Sequence, residues 1–202
     1  MNKYSNERPT KLFTPGPINI PNRVEVASSY VNYHHRSSEF SIILTSVLEN
    51  IKLLFGTKHQ VLIVHATGRG TLEGVYNNLL TQEDKVICIC NGNFGQMAAK
   101  TLKCNGFSYV SAFNDWGQQV DIARLEQLII EEKATAITSV HNDTSNGIVN
   151  PIAEIGRLSK KYNLKFMVDA VSSIGCMPFS FDDWGVDAAV TASQKGLMSP
   201  AG

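Results

Sequence analysis

Two residues near the end of the 202-residue chain have the types and spacing for chemistry on a planar, electron-accepting cofactor. Lys195 stands in Ser193-Gln194-Lys195-Gly196, just after the apolar run Ala188-Ala189-Val190. Asp169 stands 26 positions upstream and ends a second apolar run, Phe166-Met167-Val168. An acid at one strand end and an amine beyond the next is the pair that pyridoxal 5'-phosphate (PLP) chemistry needs. The amine forms a Schiff base, and the carboxylate holds the pyridine nitrogen protonated. Plainer readings exist: Asp169 can cap a turn, and Lys195 can be a surface lysine. Three apolar residues before Asp169 argue for partial burial, where a carboxylate needs a cation or a donor.

Other polar groups fall where the same cofactor would need them. Thr67-Gly68-Arg69-Gly70 reads as a strand-to-helix turn. Small residues there let backbone N–H groups approach an anion, and the helix start adds partial positive charge. Thr67 offers a hydroxyl and Arg69 a guanidinium, although Thr67 can equally be a helix cap. The turn lacks the Lys-Ser/Thr ending of a Walker loop and the three-glycine dinucleotide fingerprint. Phe94, in Asn91-Gly92-Asn93-Phe94-Gly95, is placed to stack on a ring or to fill the core. Asp143-Thr144-Ser145-Asn146-Gly147 fits an Asx turn, and a hydroxyl within it can reach a ring oxygen. His34, His35 and Glu39 match no common metal-ligand spacing.

These groups require a scaffold, and the apolar pattern supplies one. Residues 1–20 read as an extended arm, because Thr14-Pro15-Gly16-Pro17 cannot continue a helix. A short helix follows Pro21. Helical spacing from about Ser38 to Phe55 predicts a long helix stopped by Gly56. Beyond it the chain alternates. Strands are predicted at Val61–Ala66, Lys85–Cys90, Phe107–Phe113, Ala134–Val140, Leu164–Val168 and Asp187–Ala192. The intervening helices run through Leu80, near Gln96–Cys104, at about Asp121–Glu132 and from about Ile152 to Tyr162. Near-continuously apolar strands separated by helices imply an α/β fold with a buried, mostly parallel sheet between helices. Ligands bind beyond the carboxyl ends of such strands. Thr67–Gly70, Asn91–Gly95, His141–Ser145, Asp169 and Lys195 all fall there. Residues 21–202 read as one large domain.

Composition excludes several alternatives. Net charge is zero, with 18 basic and 18 acidic residues. That balance gives no electrostatic footprint for nucleic acid or acidic lipid. No apolar stretch is long enough to span a bilayer, and the polar start carries no signal-peptide core. Cys88 and Cys90 alternate within one strand-like run, so they should share a face. The spacing of the four cysteines fits neither zinc nor a disulfide framework, which points to buried thiols in a reducing cytosol.

Taken together, the chain resembles class V, fold type I PLP-dependent aminotransferases, and within them the alanine/serine–glyoxylate aminotransferase group. The resemblance rests on Phe13-Thr14-Pro15-Gly16-Pro17, His35-Arg36-Ser37-Ser38-Glu39-Phe40 and Thr67-Gly68-Arg69-Gly70-Thr71-Leu72-Glu73-Gly74. It continues through Asn91–Gly95, Asp143–Gly147, Val168-Asp169-Ala170-Val171-Ser172-Ser173-Ile174-Gly175 and Ser193-Gln194-Lys195-Gly196-Leu197-Met198. It implies that Lys195 carries the Schiff base and moves protons, and that Asp169 pairs with the pyridinium. It further implies that Phe94 stacks on the ring and Val171 packs beneath it. Thr67, Gly68 and Arg69 would hold the phosphate with Gln194 beside it. Thr144 would lie near the ring hydroxyl, and Gly16 would line the substrate end. Arg69 and Phe94 depart from the residues most common at their positions.

The resemblance also implies a cytoplasmic homodimer acting on a small amino acid and a small 2-oxo acid, glyoxylate or pyruvate. Such proteins continue into a smaller C-terminal domain that supplies the arginine for the substrate carboxylate. On that reading residues 21–202 are a large domain incomplete at its C-terminal end, and the chain alone turns over little. Three other readings stay open. Gly147-Ile148-Val149-Asn150-Pro151-Ile152 resembles 2-aminoethylphosphonate–pyruvate transaminase. A cysteine desulfurase or lyase would share the fold, but those more often carry Ser-x-His-Lys, whereas Gln194 precedes the lysine here. A catalytically incompetent fragment is the third.

Overall fold

The computed structural model describes residues 11–30 and 32–201. The first half of the expected arm therefore lies outside the described residues, and 11–20 form neither helix nor strand. Helix α1 spans Asn22–Ser28, α2 Ser38–Phe55 and α3 Gly68–Leu79. Then β1 (Lys85–Ile89), α4 (Asn93–Cys104), β2 (Ser108–Ala112), α5 (Ile122–Glu132) and β3 (Ala136–Val140) alternate. A short hairpin, β4 (Asn142–Asp143) and β5 (Ile148–Val149), precedes α6 (Ile152–Tyr162) and β6 (Lys165–Asp169). Helix α7 (Phe181–Trp184) and β7 (Ala188–Val190) follow.

Five strands form one parallel sheet in the order β2-β1-β3-β6-β7. Side-chain alternation sends β1 to two cores. Val86 and Cys88 pack under α3 and α4 with Leu72, Tyr76 and Leu102. Ile87 and Ile89 pack against α5 and α6 with Leu125, Ile137, Ile155 and Phe166. Both faces are thus covered, which explains why the strands read as apolar runs. The chain moves outward from β1 to β2, returns to β3, then moves outward the other way. Between β1 and β3 the winding reverses, and such a switch point opens a crevice at the strands' carboxyl ends.

The expected strand at Val61–Ala66 does not form. Leu62, Ile63 and Val64 are 72%, 61% and 52% exposed, and no described strand pairs with them. A β-prone sequence fixes strand character only when a neighbour supplies ladder hydrogen bonds. Helix α2 ends at Gly56 in the left-handed region (φ 62°), as its sequence suggests, but buries only Phe55. The β4–β5 hairpin and α7 were not anticipated. Cys88 and Cys90 do share a face, with sulfurs 3.7 Å apart and both buried, whereas Cys104 and Cys176 are exposed. Among the described residues no helix is long and apolar enough to cross a membrane.

The amino-terminal ends of the strands are fastened by Asp84. Its carboxylate accepts from Lys165 Nζ (2.7 Å), the Thr81 N–H (2.7 Å) and the Thr135 hydroxyl (2.7 Å). Burial alone would raise this carboxyl, but the Lys165 ammonium and these donors outweigh it and hold it at about 2. The folded value lies below the unfolded one. Its stabilisation is therefore present above the ordinary carboxylate range and lost as pH falls towards 2. Asp84→Asn should destabilise by about 1–3 kcal/mol at neutral pH, and the gap from wild type should close on acidification. Equilibrium unfolding of both proteins between pH 7 and 2 checks this; a gap independent of pH would remove the carboxylate's charge from the account.

Candidate active site

A cavity of about 180 Å³ opens at the switch point. Five pieces of chain meet there. The start of α3 brings Gly68 and Arg69, and α4 brings Phe94 and Met97. Val140 at the end of β3 and the hairpin behind it add Asn142 and Thr144. The end of β6 contributes Asp169, Val171 and Ser172, and the segment after β7 contributes Gln194 and Lys195.

Asp169 ends β6 opposite Val140 and Val190, and its Oδ1 accepts the Val171 N–H at 3.0 Å. No hydrogen bond engages its Oδ2 among the described residues. Burial raises the carboxyl above its ordinary value, and the charge of Asp143 adds to this. The Val171 N–H and the Lys195 ammonium pull the other way without cancelling it. A carboxylate so placed gains from any cation that enters the cavity. Arg69 makes no ion pair among the described residues; its Nη2 rests 3.0 Å from Met97 Sδ, at the start of α3. The cavity thus offers a shielded carboxylate, a primary amine, an aromatic ring, a branched aliphatic side chain, and a guanidinium at a helix start. That donor set fits PLP, whose ring nitrogen, aldehyde, ring faces and phosphate call for those groups.

Eight of the sequence candidates line the cavity: Gly68, Arg69, Phe94, Thr144, Asp169, Val171, Gln194 and Lys195. Thr67 does not; its hydroxyl caps α3 by accepting the Gly70 N–H at 3.1 Å. Gly16 lies beside the cavity and packs on Lys195. A Cβ at residue 16 would stand 2.2 Å from Lys195 Cδ and 2.8 Å from Cε. His141, expected at the crevice, turns to the other face of the sheet and packs edge-on against Phe179 and Trp184. Burial lowers it to about 4, so it is neutral at pH 7. Asn142, expected at the crevice, lines the cavity; Met97 and Ser172 were not among the expected lining residues. The helical spacing of Met97 from Phe94 was the one available signal, since residues three apart share a face.

Comparison with known proteins decides the family. The Aminotransferase class-V family matches residues 23–202. This chain belongs to the class-V aminotransferases. The L-aspartate–glyoxylate aminotransferase of Paracoccus denitrificans is 37% identical over 197 residues, covering 95% of this chain and 50% of that protein. The serine–glyoxylate aminotransferase of Methylorubrum extorquens is 34% identical over 197 residues, covering 95% and 49%. The ureidoglycine–glyoxylate aminotransferase structure from Bacillus subtilis superposes with a TM-score of 0.87 at 29% identity, covering 97% of this chain and 52% of that one. The chain spans about half the length of the curated relatives it matches.

Within this class-V fold, Gly16→Ala should disturb the amine as well as the local backbone. The intruding methyl meets the flexible stem of Lys195, which can swing aside, taking Nζ off its aim. Because residue 16 holds φ 156° and a Cβ there would also stand 3.0 Å from the Gln194 carbonyl oxygen, we expect a lowered melting temperature together with about a tenfold or greater loss in the rate of PLP attachment. Stopped-flow absorbance measures that rate, and wild-type kinetics in this variant would show that Gly16 does not aim Lys195.

Proposed function

We propose that this chain is the cofactor-binding portion of a PLP-dependent aminotransferase. It would move an amino group from a small, alanine- or serine-like amino acid to a small 2-oxo acid such as glyoxylate or pyruvate. The observation that carries the reading is the convergence of Asp169 and Lys195, from successive strand ends, on one cavity walled by Phe94 and Val171. The three relatives named above all carry glyoxylate in their names, which supports a small 2-oxo acid as a substrate.

When bound, PLP supplies an electron-accepting ring conjugated to the carbon that exchanges the amino group. The chain's own groups do the rest. Lys195 Nζ would hold the cofactor through its aldehyde and would serve as the proton carrier at the reacting carbon. Asp169 keeps a proton on the ring nitrogen. Phe94 and Val171, which both line the cavity, would hold the ring. The α3 amides at Gly68 and Arg69, with the Arg69 guanidinium, hold the phosphate, and Gln194 lies beside it. Thr67 keeps those amides in register by capping α3. Thr144 meets the ring hydroxyl, and Gly16 closes the substrate side over Lys195. Exposed Ile42, Val47 and Leu54 on α2 support pairing with a second copy.

Borohydride reduction of the PLP-loaded protein, followed by peptide mapping, tests the reading. The expected outcome is one stable adduct, on Lys195. An adduct on another lysine, or none, would overturn it.

A further inference from the structure

Asp143 is completely buried and makes no ion pair among the described residues. Donors from two separate segments satisfy it instead. Its Oδ2 accepts the Phe94 N–H at 2.9 Å and the Gly95 N–H at 3.2 Å, the second and third amides of α4, while the first, that of Asn93, donates to the Ser145 hydroxyl at 2.9 Å. Its Oδ1 accepts the Ser145 N–H at 3.1 Å and the Ser145 hydroxyl at 2.6 Å. Helix α4 has no side-chain cap of its own, because its N-cap is Gly92. A Cβ there would fall 2.3 Å from the Asp143 carboxylate. The cap is supplied across the crevice, about fifty residues away in sequence, and the absent side chain at Gly92 makes room for it.

Two cavity residues hang on this one carboxylate. Phe94 donates its amide to it, and Thr144 lies between Asp143 and Ser145, both held by the same Asx turn. We infer that Asp143 is a positioning residue that sets the spacing between the ring-stacking Phe94 and the hydroxyl of Thr144. A carboxylate suits this place because it accepts four hydrogen bonds and complements the positive end of α4. An amide could keep the Phe94 and Gly95 bonds with its oxygen, but would turn an NH₂ towards the Ser145 donors. The inference rests on PLP binding as proposed above.

The test is a double-mutant cycle read by cofactor affinity. PLP dissociation constants would be measured by fluorescence quenching for wild type, D143N, F94A and D143N/F94A, with thermal stability and visible circular dichroism of the bound cofactor alongside. D143N should weaken PLP binding about tenfold and change the dichroism per bound cofactor. In the F94A background the same substitution should add little, since residues acting through one another are not additive. G92A should reproduce the D143N signature while leaving the charge in place, because its methyl displaces the carboxylate. Additive losses, unchanged dichroism, or failure of D143N to fold would each show a merely structural role and overturn the inference. Wild-type protein that does not bind PLP would instead overturn the function proposed above, and this inference with it.

Discussion

Lys195→Ala is expected to abolish transamination while leaving PLP bound reversibly. Among the described residues lining the cavity, only Lys195 offers a primary amine. On the proposed function, the substitution removes the covalent attachment and the proton carrier together. Binding survives because the phosphate turn at Gly68 and Arg69, the Phe94 ring and Asp169 are untouched. They sit on α3, α4 and β6, not on the segment after β7. Loss of an entire proton-transfer group costs about 10²–10⁴-fold in rate, and loss of covalent positioning adds to it. Near-visible absorbance should revert to that of the free aldehyde, and dialysis should strip the cofactor. Turnover of a small amino acid with glyoxylate, measured on the variant in a chain that spans the relatives' full length, decides the matter. Activity within tenfold of wild type would mean that another amine serves and that Lys195 has been misassigned.

The residues that gave this site away were those whose chemistry is local. The acid at the end of an apolar run became the half-buried carboxylate of β6, and the lysine after the next run reached the same cavity. Strand parity and helical spacing placed β1, β3, β6, α5 and α6 within a residue or two, because burial on both faces imposes apolar strands whatever the partner. What escaped notice depended on contacts between distant segments. Helix α4 begins at Asn93 rather than near Gln96, since its cap comes from Asp143. Val61–Ala66 has strand composition but no ladder partner among the described residues. His141 looked like a crevice residue until the sheet's alternation turned it to the opposite face. The Asx turn expected over Asp143–Gly147 does form, with the Ser145 N–H donating to Asp143 Oδ1, and it closes the β4–β5 hairpin with Gly147 at a left-handed φ of 79°. The hairpin it closes is what carries Asp143 to the helix start.

Asp169→Asn should separate function from stability in an unusual direction. In the proposed function the carboxylate keeps a proton on the cofactor's ring nitrogen, and a neutral amide cannot do that. Each tenfold loss of rate is about 1.4 kcal/mol of barrier, and several such factors are expected here. The cofactor-free protein should behave differently. Burial, joined by the Asp143 charge, raises the Asp169 carboxyl above its ordinary value in the folded state. A carboxyl with a raised folded pKa favours folding when protonated, and that contribution is lost as pH rises through the folded value. At neutral pH the ionised side chain therefore costs stability. The amide removes this cost while its oxygen still accepts the Val171 N–H. Cofactor-free Asp169→Asn should thus melt at or above the wild-type temperature, and its advantage should shrink as pH falls into the carboxylate range. With PLP the order should reverse, because only the carboxylate gains a cationic partner, and ligand binding stabilises in proportion to its affinity. Melting curves for both proteins, with and without PLP, at several pH values give the comparison. A large loss of stability in the cofactor-free variant would make Asp169 a structural cap, and wild-type turnover would remove it from the chemistry.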